Sequence, residues 1–219
     1  MTTERFSFSF SLLLSLAVLL TPTRPVSGHG RLLRPTSRSS VWRFAEFQSQ
    51  NPPPNYTDNQ LFCGGLHQAD SPGTNCGVCG DPVSDSVPRE NEIAGYYYRG
   101  IITGRYTQGQ IIDVEVELTA AHMGHMEWRI CSNSSTETQN CFNQNLLLRA
   151  DGFGSRLNVT STGTYKTKLK LPQGLRCNHC IVQWNYRAGN NWGYCDNGTS
   201  GLGCGPQETF RGCADITIQ

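Results

Sequence analysis

The sequence predicts an all-β fold, a β-sandwich of the immunoglobulin or fibronectin kind with long disulfide-pinned loops and short helices. Three observations carry this. Strand-like tracts recur along the chain, loops rich in Gly, Pro, Asn and Ser separate them, and little amphipathic helix pattern intervenes. The tracts are Gly100 to Tyr106, Gln110 to Leu118, Thr164 to Leu171, Ile181 to Tyr186 and Thr209 to Ile218. The second is the clearest. Its Ile112, Val114, Val116 and Leu118 alternate with Asp113, Glu115 and Glu117, the period-2 signature of a half-buried antiparallel strand.

Residues 45–95 differ in character, with Pro52-Pro53-Pro54, Gly64-Gly65 and few β-branched runs. They read as a long loop insertion with short helices, held by disulfides and forming one edge of a binding surface, because loops of this length inside a compact domain are usually functional. No internal repeat, heptad or low-complexity tail is present.

Residues 1–28 read as an export signal. Arg5 precedes an apolar run from Phe6 to Leu20, and the small residues Val26 and Gly28 suit cleavage before His29. The run is too short and too close to the terminus to span a membrane, and nothing later approaches 18 unbroken apolar residues. The expected product is a secreted, extracellular protein, with residues 29–219 as a single domain large enough to bury a substantial core. All ten cysteines lie in this part, which after an export signal argues for up to five disulfides. The pairs Cys76/Cys79 and Cys177/Cys180 have the spacing of zinc or redox sites, but secretion favours disulfides. Four sequons, at Asn55, Asn133, Asn158 and Asn197, mark exposed loops that would make the product a glycoprotein.

The whole chain has 18 basic and 17 acidic residues, and residues 1–28 hold Arg5, Arg24 and Glu4, so 16 of each sign remain. Such a balance, without clustered Lys and Arg, excludes a nucleic-acid partner and is compatible with an uncharged carbohydrate polymer. The acidic residues are scattered, against the paired carboxylates of a glycoside hydrolase, and neither a Ser-His-Asp pattern nor H-E-x-x-H is present.

Cleavage before His29 would free its α-amine beside its own imidazole, so that one residue chelates a metal through two nitrogens. With an unperturbed pKa of about 7.7–8.0, the amine loses its proton to a strongly Lewis-acidic ion at neutral pH. A further imidazole would complete a T-shaped three-nitrogen site. Copper heads the affinity series for such donors, and a planar nitrogen arrangement suits Cu(II). By spacing alone either His122 or His125 serves, since both follow the clearest strand.

Three segments resemble lytic polysaccharide monooxygenases, most closely auxiliary activity family 15, and together they span nearly all of residues 29–219. They are HGRLLRPTSRSSVWR from His29 to Arg43, LTAAHMGHMEWRIC from Leu118 to Cys131, and CNHCIVQWNYRAGNNWG from Cys177 to Gly193 followed by CGPQETFRGCADI from Cys204 to Ile216. The resemblance implies that the mature chain begins at His29, that His122 and not His125 is the second copper ligand, and that Ala120 lies beside the open axial position. It puts Phe210 on the other axial side, where many relatives carry tyrosine; a phenyl ring cannot ligate and only shields the metal. Glu208, two residues earlier, would share that face of the strand and orient ligands or bound oxygen species, with Gln183 as an alternative for the role. His67 and His179, beside cysteines in loops, match no ligand position and read as structural. Trp42, Trp128, Trp184 and Trp192 are either core residues or a sugar-stacking platform.

The implied activity is oxidative cleavage of β-1,4-linked polysaccharide, chitin first and cellulose second, by one copper ion with an external electron donor and peroxide or oxygen, through hydrogen abstraction at C1 or C4. The implied working form is a monomer on an insoluble polymer. The alternative from another class is a non-catalytic secreted module that binds carbohydrate or copper without turnover.

Overall fold

The structure, a computed structural model, describes residues 29–66 and 76–219, so the expected export signal and His67 lie outside the described residues. Two sheets face each other. The first has the strand order β1 (His29–Arg34), β3 (Ile111–Ala120), β7 (Gly163–Lys170), β5 (Leu148–Arg149). The second runs β2 (Gly104–Tyr106), β11 (Thr209–Ile218), β8 (Cys177–Arg187), β4 (His125–Cys131), β6 (Leu157–Asn158). Among the described strands of the two sheets only the β2–β11 pair is parallel, which makes this the antiparallel sandwich expected. A separate hairpin pairs β9 (Trp192–Tyr194) with β10 (Ser200–Leu202).

Alternation decides the first sheet. Ile112, Val114, Val116 and Leu118 point inward and are buried, and the carboxylates between them point out. They meet Trp128, Ile130, Val182, Trp184, Tyr186, Phe210, Ala214 and Ile216 from the second sheet, forming one core. Each such large apolar side chain withdrawn from water contributes roughly 1.5–3 kcal/mol before the entropy of ordering is counted.

The second sheet does not alternate, because both its faces are covered. On its outer side Val78, Cys79, Phe142, Ile181 and Cys213 form a further buried cluster, supplied by the insertion and by α1 (Gln139–Asn143). This hid β4 from the period-2 pattern, since its Met126, Glu127 and Trp128 are consecutively buried. It also corrects the reading of Gln183, whose amide donates to Val78 O (2.7 Å) and to Gln139 Oε1 (3.0 Å). Gln183 belongs to this outer layer and has no place beside the histidines. Of the expected tract from Gly100, only Gly104 to Tyr106 pairs as a strand; Ile101 is drawn instead into a small cluster with Val41 and Phe47.

All ten cysteines are bonded: Cys63–Cys76, Cys79–Cys213, Cys131–Cys141, Cys177–Cys180 and Cys195–Cys204. Cys79–Cys213 ties the insertion to β11 across 134 residues. Short 3₁₀ turns at Val41–Arg43 and Ala45–Gln50 lead into the insertion, as expected. The sequon at Asn55 departs from the exposed-loop expectation, because that residue is only 3% exposed.

A buried ion network joins these layers. The Arg38 guanidinium grips both Asp215 oxygens at 2.7 Å, and its Nη1 donates to Glu137 Oε1 (2.6 Å) and Asn91 O (3.0 Å). Burial works to lower the Arg38 pKa, yet these partners outweigh it and hold it above the ordinary value. Asp215 is likewise opposed by burial and still held below the usual carboxylate range by hydrogen bonds from Arg38 and His179. His179 Nε2 lies 2.7 Å from Asp215 Oδ1, which is the structural role expected of it. Replacing Asp215 by Ala strands a buried guanidinium, so denaturant unfolding is expected to show a loss of about 3–5 kcal/mol.

Candidate metal centre

The site begins with strand register. His29 opens β1 and pairs with Ala120 near the end of β3, and His122 follows two residues on. Antiparallel pairing therefore brings the first described residue and the loop after β3 to the same end of the sandwich. A bulge lies between His29 and Gly30, where the register shifts. Gly30 is required there: a Cβ on it would lie 2.4 Å from Leu118 Cδ2 and 3.0 Å from Trp184 Cη2. The Gly30 amide donates to Asn59 O (2.9 Å), and Asn59 Nδ2 donates to Thr119 Oγ1 (2.9 Å). Arg31 next binds Glu117 (2.8 Å) and the buried Asp58 (2.6 Å). The insertion thus flanks the start of β1.

The His122 loop is tied on every side. Its amide donates to Tyr186 Oη (2.8 Å), the same hydroxyl donates to Met123 O (2.8 Å), and the Gly189 amide donates to His122 O (2.7 Å). The chain then turns with Met123 and Gly124 at positive φ, and a Cβ on Gly124 would meet Arg187 O at 2.0 Å. Burial pushes the Tyr186 phenol up to about 12, so it stays neutral and able to donate at any working pH.

The His122 imidazole is largely buried, with Nδ1 shielded from water, making no hydrogen bond, and 3.4 Å from Glu208 Oε2. Glu208 precedes β11, and its carbonyl accepts from the Ala188 amide (2.9 Å). An imidazole whose backbone is fixed and whose Nδ1 faces a carboxylate is suited to a metal: a proton on Nδ1 beside Glu208 leaves Nε2 as the nitrogen an ion would use, with the carboxylate orienting the ring. The donors His29 and His122 therefore fit a nitrogen-bound ion. Ala120, small and half-buried, stands across from His29.

Phe210 is fully buried, stacked on Tyr186 with centroids 5.6 Å apart and tilted against Phe62 at 6.3 Å. It lies in the core behind the tyrosine that holds the His122 loop. His125 is placed differently. It begins β4 across from Arg187 and Asn158, so the strand and not the loop sets its position. Burial, then Arg156, lowers its pKa.

Among the described residues, the one grouping of three or more possible metal ligands is Cys79, Glu137 and Cys213, and its two cysteines are bonded to each other. The C-x-x-C pairs considered for zinc are also consumed by disulfides, Cys76 with Cys63, Cys79 with Cys213 and Cys177 with Cys180. Of the tryptophans, Trp128 and Trp184 are core, Trp42 lies under the Arg43 guanidinium at 4.4 Å, and Trp192 is 70% exposed. Tyr186 and Gly30 are the residues that motif reasoning passed over. Tyr186 has no signal beyond its place in a predicted strand, whereas Gly30 directly follows His29. Tyr186→Phe removes both hydroxyl contacts with the loop; hydrogen exchange at the His122 amide is expected to accelerate about tenfold or more, in line with ~1–3 kcal/mol for an abandoned buried donor.

The family model described as "Lytic polysaccharide mono-oxygenase, cellulose-degrading" matches residues 29–216. Among solved structures, the AA15 lytic polysaccharide monooxygenase from Thermobia domestica in the Cu(I) state is 46% identical, with a TM-score of 0.80, covering 87% of this chain and 98% of that one. A chitin binding domain from Burkholderia pseudomallei shares the fold at 13% identity and a TM-score of 0.52, covering 88% of this chain and all of the other. No curated protein sequence matches the chain. Sandwich, histidine register and family model coincide over the same residues, and the chain belongs to the lytic polysaccharide monooxygenases of auxiliary activity family 15, copper-dependent oxidoreductases that cleave polysaccharide oxidatively.

Proposed function

We propose that the mature chain, residues 29–219 acting as one exported, monomeric catalytic domain, cleaves β-1,4-linked polysaccharide, with chitin preferred and cellulose second. Copper is held by His29 through its α-amine and imidazole and by His122. The observation that carries this is the β1–β3 register, with His29 opposite Ala120 and His122 two residues further. No helix among the described residues is long and apolar enough to cross a membrane.

The chemistry divides between the ion and the chain. When bound, copper supplies one-electron redox chemistry that lets peroxide or oxygen, with an external electron donor, attack a C–H bond at C1 or C4 of the sugar. The chain does the rest. The His29 amine gives up its proton to become a ligand. Tyr186 and Gly189 hold the His122 backbone so that its ring does not reorient. Glu208, with an oxygen 3.4 Å from His122 Nδ1, orients that ring and accepts a proton beside it. Phe210 occupies the inner side with hydrocarbon and excludes water there, and Ala120 leaves space on the other.

The β9–β10 hairpin supports a polymer substrate. Trp192 and Tyr194 are two apart on one strand, hence on one face, and Trp192 is paired with Leu202; the three are 70%, 83% and 54% exposed. Gly193 backs onto Cys204, closing the other face. The hairpin is rooted next to the histidine loop through Gly189, and Gln207 bonds the Asn191 backbone at both N and O. Flat exposed aromatics in this setting are suited to the apolar faces of sugar rings. Trp192→Ala is expected to weaken adsorption to chitin severalfold, equivalent to ~0.5–1.5 kcal/mol, with copper binding unchanged by calorimetry.

Two measurements test the central reading. Copper-loaded protein beginning at His29, given ascorbate and chitin or cellulose, should release aldonic or C4-oxidised oligosaccharides; binding without such products would leave only the non-catalytic module. His122→Ala should cost copper affinity more than the ~10–100-fold typical of a supporting residue, while His125→Ala largely spares it; the reverse order would make His125 the ligand.

A further inference from the structure

The four sequons are equivalent as motifs but not as surfaces. Asn197 lies in the turn between β9 and β10, exposed, and its Oδ1 accepts from the Thr199 amide (3.1 Å) and hydroxyl (2.7 Å). Asn133 is arranged alike: exposed, with Oδ1 accepting from the Ser135 amide (3.1 Å) and hydroxyl (2.6 Å). In both, the carbonyl oxygen is engaged by the turn and the residue is exposed. Asn158, on the short edge strand β6, is exposed as well.

Asn55 forms the same turn, with Oδ1 accepting from the Thr57 amide (3.0 Å) and hydroxyl (3.1 Å), so turn geometry does not separate it from the others. Burial does. At 3% exposure it is walled in beside the equally buried Asp58, which binds Arg31, Arg43 and Ser40. A saccharide on Asn55 would have to displace the segment that pins β1 and, through Asn59, the Gly30 amide.

We propose that Asn133, Asn158 and Asn197 carry N-linked glycans and that Asn55 does not. The donor is a lipid-linked oligosaccharide pyrophosphate. The asparagine amide nitrogen forms a bond to the anomeric carbon of the first sugar, that carbon's bond to phosphate oxygen breaks, the amide gives up one proton, and the lipid pyrophosphate leaves. The modification rests on the export reading above, because the donor is met in the secretory pathway.

The test is expression of the full chain in insect cells, release of glycans by peptide N-glycosidase in H₂¹⁸O, and mapping of labelled Asp at each sequon. Label at the three exposed sites with an unlabelled Asn55 peptide is the expected result, and Asn133→Gln and Asn197→Gln should each remove one glycan step from gel mobility. Label at Asn55, or its absence from any of the three exposed sites, overturns the proposal. A parallel arm replaces residues 1–28 by a host leader. If only that arm is secreted and its exposed sites carry label, the export reading fails and the glycan assignment stands; if it is secreted without label, the assignment falls.

Discussion

The site depends on where β1 begins and on what lets it lie against β3. A terminal amine can take part in a metal site only if its residue is held with little freedom, and a chain end is ordinarily the least ordered part of a domain. In the proposed mature chain that end is His29, and its strand is fixed by pairing with β3, by the register shift after His29, and by Gly30, whose missing Cβ leaves the space taken by Leu118 and Trp184. The Gly30 amide and the Arg31 guanidinium then bind the insertion through Asn59 and Asp58. The first three residues of the strand are therefore tied to β3, to the core and to the insertion.

The opposite half of the site is fixed from below. Tyr186 stands in β8 directly across from Phe210 in β11, and its hydroxyl reaches out of the core to bind two backbone groups of the His122 loop. Stacking of the two rings couples the apolar interior to the polar tip, so the loop rests on the buried core between the sheets. If His122 holds copper as proposed, this fixed backbone would keep its imidazole in place.

A buried ion network holds the layers beneath the surface hairpin. The Arg38–Asp215–Glu137 network locks the insertion, the start of α1 and β11 together. With the interior held this way, the β9–β10 hairpin can present aromatic side chains outward without cost to the core, closed by its own disulfide between Cys195 and Cys204.

The sequence by itself determined the sandwich, through the alternation in β3 and the disulfide-rich insertion, and it determined the family, through His29, the segment around His122 and the Glu208–Phe210 pair. These were legible because period-2 burial and local motifs are written in neighbouring residues. Only the tertiary structure decided what depends on distant segments meeting. The consecutive burial of β4 and the outer layer that claims Gln183 arise from covering a sheet on both faces. The clamp by Tyr186, the sealing of Asn55 and the separation of His125 from the His122 loop follow from packing between elements tens of residues apart, about which a local pattern carries no information.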